Sequence, residues 1–113
     1  APDAVKVGDT FTLVVEATNE LSDREIKLGD LDISDDYLRG FAIVSVTPDP
    51  RSTSIDTFND CTTMRFAVTL PPGATAEFRF ELRAERAGRY RGEIDQYVGA
   101  QLLTMVVQTT VSR

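Results

Sequence analysis

The side chains with the clearest chemical potential are aspartates crowded into the run GDLDISDD, from Gly29 to Asp36. Carboxylate oxygens are preferred ligands of Ca²⁺, and several aspartates held close together can share one ion. The members of this cluster are Asp30, Asp32, Asp35 and Asp36. Calcium binding is therefore the chemistry that this cluster indicates.

The cluster matches the calcium loop of an EF-hand only at its start. Asp30, Asp32 and Ser34 occupy the first three ligand positions of such a loop. The position that requires Gly holds Asp35, and the position that requires the final Glu holds Phe41. The flanking sequence also lacks helical periodicity, so an EF-hand is excluded.

Two interpretations of the aspartates remain. In one, Asp30, Asp32 and Asp36 are the ligands of a loose surface calcium site. In the other, the aspartates are solvated at the end of a sheet and bond their own backbone in turns. We favour the second interpretation and expect neither a metal nor a cofactor in this chain.

Nucleophilic and acid-base chemistry is restricted by two residue counts. The chain contains no His, and Cys61 is its single cysteine. Without His, the usual triads of Ser or Cys with a histidine base cannot form. A lone cysteine permits no intrachain disulfide and no thiolate zinc site, and Asp60 beside Cys61 is expected to raise the pKa of its thiol. We therefore predict that the chain is not an enzyme.

Five aromatic residues could in principle stack on a sugar ring. Several of them fall in the phase of a buried strand face, and the chain has no Trp. Burial in the core is therefore the favoured interpretation. The residues concerned are Tyr37, Phe41, Phe58, Tyr90 and Tyr97.

The elements that position these side chains follow a period of two, which is typical of half-buried strands. The run TFTLVVEAT from Thr10 to Thr18 and the run from Ala76 to Glu85 alternate clearly, and we place Phe80 in the core and Arg79 in water. The final strand, from Gln101 to Val111, has an apolar face that is predicted to close the core. The apolar residues of that face are Leu103, Met105, Val107 and Val111.

Three segments depart from simple alternation. Leu28 and Leu31 have opposite parity, which predicts a bulge or break at Gly29 or Asp30. The run DDYLRG predicts one helical turn that ends at Gly40 with a positive φ. The segment from Phe41 to Thr47 is apolar on both faces, which predicts a strand covered on two sides.

Seven to nine short strands, separated by turn residues at intervals of about 8 to 12 residues, are typical of an antiparallel β-sandwich. The length of 113 residues is suited to one domain, and we assign residues 1–113 to it. The net charge of -6 disfavours binding to nucleic acid or to anionic lipid. No apolar stretch approaches the length of a membrane span, so no direct membrane insertion is expected. The expected partner is a protein or a carbohydrate.

Two stretches carry a resemblance to a known class of module. They read VKVGDTFTLVVEATN at 5–19 and LPPGATAEFRFELRAERAGRYRGEI at 70–94. Both resemble the immunoglobulin-like β-sandwich modules, of the CARDB type, that are appended to bacterial and archaeal extracytoplasmic proteins. The resemblance implies turn and corner roles for a small set of residues, with the Tyr90 hydroxyl bonded to nearby backbone. These residues are Gly8, Asn19, Pro72, Gly73, Gly88 and Tyr90.

The same resemblance implies a location and a role. The chain is expected to be part of a larger protein outside the cytoplasm, secreted or anchored at the cell surface. Its expected function is that of a noncatalytic spacer or protein-interaction domain. A carbohydrate-binding or cell-surface adhesion module, stabilised by calcium or not, is the alternative.

The segment from Pro48 to Thr62 has no clear period and is long for a connection in a compact domain, which points to a function or to a concealed element. Its large apolar residues are Ile55 and Phe58. Either both plug the end of the core from an irregular edge strand, or both stand exposed on a flexible loop and contact a partner. We favour the structural alternative, because apolar groups are costly to leave in water.

Overall fold

Residues 1–113 form two β-sheets packed face to face in a computed structural model. One helical turn, α1, spans Asp35–Leu38. The strands are β1 (Ala4–Lys6), β2 (Thr10–Thr18), β3 (Ile26–Ser34), β4 (Phe41–Thr47), β5 (Ser52–Asp56), β6 (Cys61–Arg65), β7 (Thr69–Leu70), β8 (Thr75–Ala84), β9 (Gly88–Val98) and β10 (Gln101–Ser112). No helix is long and apolar enough to cross a bilayer.

The larger sheet has the order β1-β10-β9-β3-β6-β5, with β7 paired to the start of β3. The smaller sheet has the order β2-β8-β4. All pairs are antiparallel except that of β1 with β10. These two strands come from opposite ends of the sequence and run parallel. The predicted all-β sandwich is confirmed. Its ten strands exceed the predicted seven to nine, and the very short β1 and β7 account for the difference.

The core lies between the sheets and follows the predicted alternation in β8. Phe78, Phe80 and Leu82 are fully buried, whereas the intervening charged residues face water. Phe80 is paired in register with Leu13 of β2, which is also buried. Arg79 lies on the opposite face and forms an ion pair with Glu77. The face assignment of this strand is therefore confirmed.

The predicted irregularity in β3 is a register shift in its pairing with β9, between Leu28 and Leu31. The shift lets both leucines point into the core despite their opposite parity. Gly29 lies within the shift, and a Cβ there would come within 2.8 Å of the Cβ of Tyr97. Only glycine fits so close an approach between the two strands.

The corner roles predicted from the resemblance are present. The Tyr90 hydroxyl donates to the carbonyl oxygens of Arg86 (3.0 Å) and Ala87 (3.3 Å). The fully buried Asn19 donates through Nδ2 to the carbonyls of Arg24 (2.9 Å) and Leu70 (3.0 Å). Gly8, Gly73 and Gly88 all have positive φ, and Pro72 precedes Gly73 in its turn.

Two expectations around β4 are wrong. The strand was expected to be covered on both faces, yet Ile43 is 37% and Val44 49% exposed. The reason is that β4 is an edge strand, paired only with β8, in a sheet whose outer face meets water. Gly40 does not have a positive φ. It is glycine because a Cβ there would lie 2.2 Å from Cε2 of Tyr90.

Candidate functional site

The segment from Pro48 to Thr62, which has no clear period, contains most of an ordered hairpin at the edge of the larger sheet. Strand β5 pairs with β6 over its whole length, from Ser52 opposite Arg65 to Asp56 opposite Cys61. A four-residue turn, TFND at 57–60, joins the two strands. Phe58 lies in this turn, and Ile55 lies on the edge strand itself.

The turn is held by one carboxylate. Oδ1 of Asp56 accepts hydrogen bonds from the backbone N–H groups of Phe58 and Asn59, each at 3.1 Å. Oδ2 of Asp56 accepts from Nδ2 of Asn59 at 2.8 Å. An aspartate side chain that accepts hydrogen bonds from the backbone N–H groups just after it commonly stabilises a turn. The backbone that carries Phe58 is therefore fixed by its own neighbours.

The same contacts act on the ionisation of Asp56. Its pKa is lowered, chiefly by the side-chain hydrogen bond from Asn59 and then by the backbone N–H of Asn59, with Phe58 contributing less. All three donors favour the charged carboxylate. The turn is therefore in its bonded form throughout the neutral pH range.

Ile55 and Phe58 do not plug the core. Phe58 is 92% exposed and Ile55 is 72% exposed. Ile55 lies opposite Thr62, on the same side of the sheet as the buried Met64. It is nevertheless exposed, because the three-stranded sheet does not cover all six strands of the larger sheet. The favoured structural interpretation is wrong. The alternative interpretation placed both residues exposed on a flexible loop. They are exposed, but they lie on an ordered hairpin instead of a flexible loop.

The candidate calcium ligands are not brought together. Asp30 forms an ion pair with Arg65 at 3.4 Å, and Asp36 forms one with Arg39 at 3.3 Å. Oδ1 of Asp32 accepts a hydrogen bond from the Thr63 hydroxyl at 2.7 Å. No group of three or more His, Cys, Asp or Glu residues is placed to hold a metal ion.

The candidate aromatic residues are divided between the core and the surface. Tyr37 is fully buried, stacks on Phe41 with ring centres 4.9 Å apart, and its hydroxyl lies 2.9 Å from that of Thr109. Burial raises the pKa of Tyr37, and the hydrogen bond with Thr109 opposes that effect. Phe58 and Tyr97 remain exposed, the first in the β5–β6 turn and the second on β9. The five aromatics therefore form no common sugar-binding face.

Cys61 is a half-buried thiol with a raised pKa. Burial is the main cause, and the negative charges of Asp32, Asp56 and Asp35 add to it. Asp60, the neighbour that was expected to raise this pKa, is not among the contributing acids. A thiol of raised pKa is a poor nucleophile at neutral pH.

A polar recess of about 380 Å³, which was not predicted from the sequence, lies on the outer face of the larger sheet. Asp32 of β3 and Asp95 of β9 stand directly opposite each other in it, and Oδ1 of Asp95 is buried without a hydrogen-bond partner. The phase of each aspartate can be inferred from strand alternation. Their juxtaposition cannot, because it depends on long-range register. The lining residues are Asp32, Ser34, Asn59, Cys61, Glu93, Asp95 and Tyr97.

Less of β10 is buried in the core than its alternation predicts. Val107 and Val111 are buried as expected, but Leu103 is 39% and Met105 36% exposed. Leu103 borders a groove of about 620 Å³ that runs beside the free edge of β2. The parity of these residues is that of the core, but the smaller sheet does not extend over this end of the hairpin.

Comparison with known proteins identifies the fold but no family. No protein-family model and no curated protein matches this chain. A solved structure of a family 123 glycoside hydrolase from Clostridium perfringens, described for glycolipid glycan hydrolysis, matches 96% of the chain with a TM-score of 0.58 and 10% sequence identity. The chain spans only 22% of that hydrolase chain. A likeness at this level of identity indicates a shared fold alone.

Proposed function

We propose that this β-sandwich is a noncatalytic module of a larger extracytoplasmic protein, and that it serves as a protein-interaction unit or spacer. The observation that carries the proposal is Phe58, 92% exposed at the tip of a turn fixed by Asp56. The resemblance of the chain ends to appended modules supports the extracytoplasmic setting. The match to a small part of a much longer chain supports a modular role.

The energetics of Phe58 favour a contact with protein. Leaving a large apolar side chain in water forgoes about 1.5–3 kcal/mol of burial free energy, which a partner's pocket can recover. Aromatic anchors of this kind supply much of the affinity of interfaces, often about 2 kcal/mol or more for each residue. Because the Asp56 turn already fixes the backbone, little conformational entropy is lost on binding.

The absence of catalysis is supported by the residues themselves. The chain offers no His, and the thiol of Cys61 has a raised pKa. Asp30 and Asp36 are engaged with arginines. Asp32 and Asp95 do lie opposite each other in the polar recess, but they stand on adjacent strands of one sheet face. A hydrolytic site based on two carboxylates would need them to face each other across a substrate cleft.

A display library of random peptides, selected on the immobilised protein, tests the proposal. Binding of the selected peptides should weaken at least about tenfold in Phe58→Ser, which is the effect expected of an interface anchor. Val44→Ser is the matched control, because Val44 is also exposed but lies on β4. If every selected peptide binds the Phe58→Ser protein as tightly as the unchanged protein, the Phe58 turn is excluded as the contact.

A carbohydrate-binding function is a second candidate, and the polar recess favours it. Tyr97 is 46% exposed at its border, beside Asp95, whose buried Oδ1 lacks a donor. An aromatic ring next to carboxylates offers a stacking surface and acceptors for sugar hydroxyls. Titration of ¹⁵N-labelled protein with a panel of oligosaccharides should then shift amides of β9, and Tyr97→Ala should abolish those shifts.

A further inference from the structure

Strand β10 has an unpaired edge over most of its length. Its outer neighbour β1 covers only Thr110 to Ser112. The N–H of Thr110 donates to the carbonyl of Asp3 at 2.9 Å, so the backbone groups of Thr110 point away from β9. Backbone groups alternate in direction along a strand that pairs antiparallel with its neighbour. The backbone N–H and C=O groups of Leu102, Thr104, Val106 and Gln108 therefore point in the same direction as those of Thr110. No strand lies opposite them.

This edge lacks the usual protection against strand addition. Soluble proteins block exposed edges with charged residues, proline, bulges or very short strands. No charged residue and no proline occurs from Gln96 to Ser112. Four apolar side chains of the unpaired segment are exposed: Leu102 (48%), Leu103 (39%), Met105 (36%) and Val106 (55%).

The other edges are protected by comparison. Strand β5 has five residues and ends in Asp56. Strand β4 has a register shift between Ile43 and Ser45, and Pro48 follows it directly. Strand β2 carries the exposed, charged residue Glu16. The β10 edge is therefore the best template in the molecule for an added strand.

The groove beside β10 carries negative charge, which is complementary to a basic side chain on an added strand. Its apolar lining includes Leu21, Ile26 and Leu103, and its rim carries Glu16 and Glu20. Neither glutamate forms an ion pair, and Glu16 stands opposite another acid in the pairing of β2 with β8. Acidic groups without counter-charges attract a basic side chain.

We propose that the β10 edge from Gln101 to Gln108 binds an extended peptide strand of a partner protein by β-augmentation. The incoming strand alternates apolar residues and carries Lys or Arg near the Gln101 end, where Glu16 and Glu20 lie. Main-chain hydrogen bonds hold the strand, and its inward side chains enter the groove. A second copy of this chain fits less well, because each copy carries a net charge of -6. This surface is separate from the Phe58 turn and does not depend on it.

The test uses a synthetic peptide of alternating Val and Thr with Lys at each end, and a matched peptide with Glu in place of Lys. We expect the Lys peptide to shift the amide signals of Leu102, Thr104, Val106 and Gln108 in ¹⁵N spectra. We expect the Glu peptide to bind at least about tenfold more weakly at low salt, with the difference falling as salt screens the charges. Glu16→Gln combined with Glu20→Gln should remove the preference.

Backbone pairing is tested by Thr104→Pro, with Thr104→Ala as the matched control. The N–H of Thr104 has no partner in the sheet, so proline removes only the group that an incoming strand would use. Thr104→Pro should weaken peptide binding at least about tenfold, and Thr104→Ala should not. If the proline variant does not fold, a peptide N-methylated at alternate residues replaces it and should fail to bind the unchanged protein.

Three outcomes would overturn the proposal. One is no binding of the Lys peptide at millimolar concentration, and another is equal binding of the N-methylated peptide. The third is a dimer of the protein alone that Thr104→Pro dissociates, since the occupant would then be a second copy. Phe58→Ser should leave peptide binding at β10 unchanged, which separates this surface from the proposed Phe58 contact.

Discussion

The ring of Tyr90 occupies the space that a side chain at residue 40 would need. A Cβ on Gly40 would lie 2.2 Å from Cε2 and 2.4 Å from Cζ of that ring. The ring cannot move freely, because its hydroxyl is bonded to the corner backbone at Arg86 and it meets the ring of Phe41 in a T-shaped contact with centres 5.4 Å apart. The β8–β9 corner and the end of the helical turn are thus locked to each other.

Gly40→Ala should therefore destabilise the protein by about 1–3 kcal/mol, the usual cost of overpacking a filled site. Chemical denaturation measures the loss. The same substitution made in a Tyr90→Leu background should cost less, because the smaller side chain leaves room for the methyl group. Equal losses in both backgrounds would show that the two residues do not compete for the same space.

The core assignment of β8 predicts unequal effects at neighbouring residues. Phe80→Ala should lower the free energy of unfolding by about 3–5 kcal/mol, because it empties a fully buried site. Arg79→Ala should lower it by less than about 1 kcal/mol, because Arg79 is exposed and its ion pair with Glu77 is solvated. Similar losses for the two variants in urea titrations would contradict the face assignment.

The exposure of Ile55 and Phe58 predicts that neither supports the fold. The double variant with Ser at both positions should stay within about 0.5 kcal/mol of the unchanged protein, as surface substitutions usually do. Thermal unfolding followed by circular dichroism checks this. A fall of several kcal/mol would restore the interpretation in which the two residues close the end of the core.

Calcium should have no specific effect on stability. Asp30, Asp32 and Asp36 have separate partners and do not converge on one point, so we expect no folded-state Ca²⁺ binding that would raise the melting temperature by mass action. Millimolar CaCl₂ should shift the melting temperature no more than NaCl at the same ionic strength. A larger shift that disappears in Asp32→Ala would contradict this expectation.

The turn that carries Phe58 should respond to acid. The pKa of Asp56 is lowered in the folded state, so its contribution is present above the ordinary aspartate pKa and is lost as pH falls through the folded value. The amide shifts of Phe58 and Asn59 should therefore titrate together, with a midpoint below that of an unstructured aspartate. Asp56→Ala should remove the titration, and a midpoint at or above the ordinary value would contradict the bonded turn.

The sequence predicted which face of a strand is apolar better than it predicted what covers that face. Phe80 and the bulge near Gly29 were found because alternation and its interruption are local properties. Leu103 and Ile55 have the parity of core residues but are exposed, because the extent of the opposing sheet depends on how distant strands are ordered. The meeting of Asp32 and Asp95 depends on long-range register in the same way.

The parallel pairing of β1 with β10 has a mechanical consequence. The two strands lie side by side, and Val7 donates its N–H to the carbonyl of Ser112 at 2.8 Å. Tension applied at the amino end of β1 and at the carboxyl end of β10 pulls them in opposite directions along their common axis. The hydrogen bonds between them are then loaded together in shear instead of being opened one after another. The pair therefore resists this pull more strongly than a pull that opens it from one end.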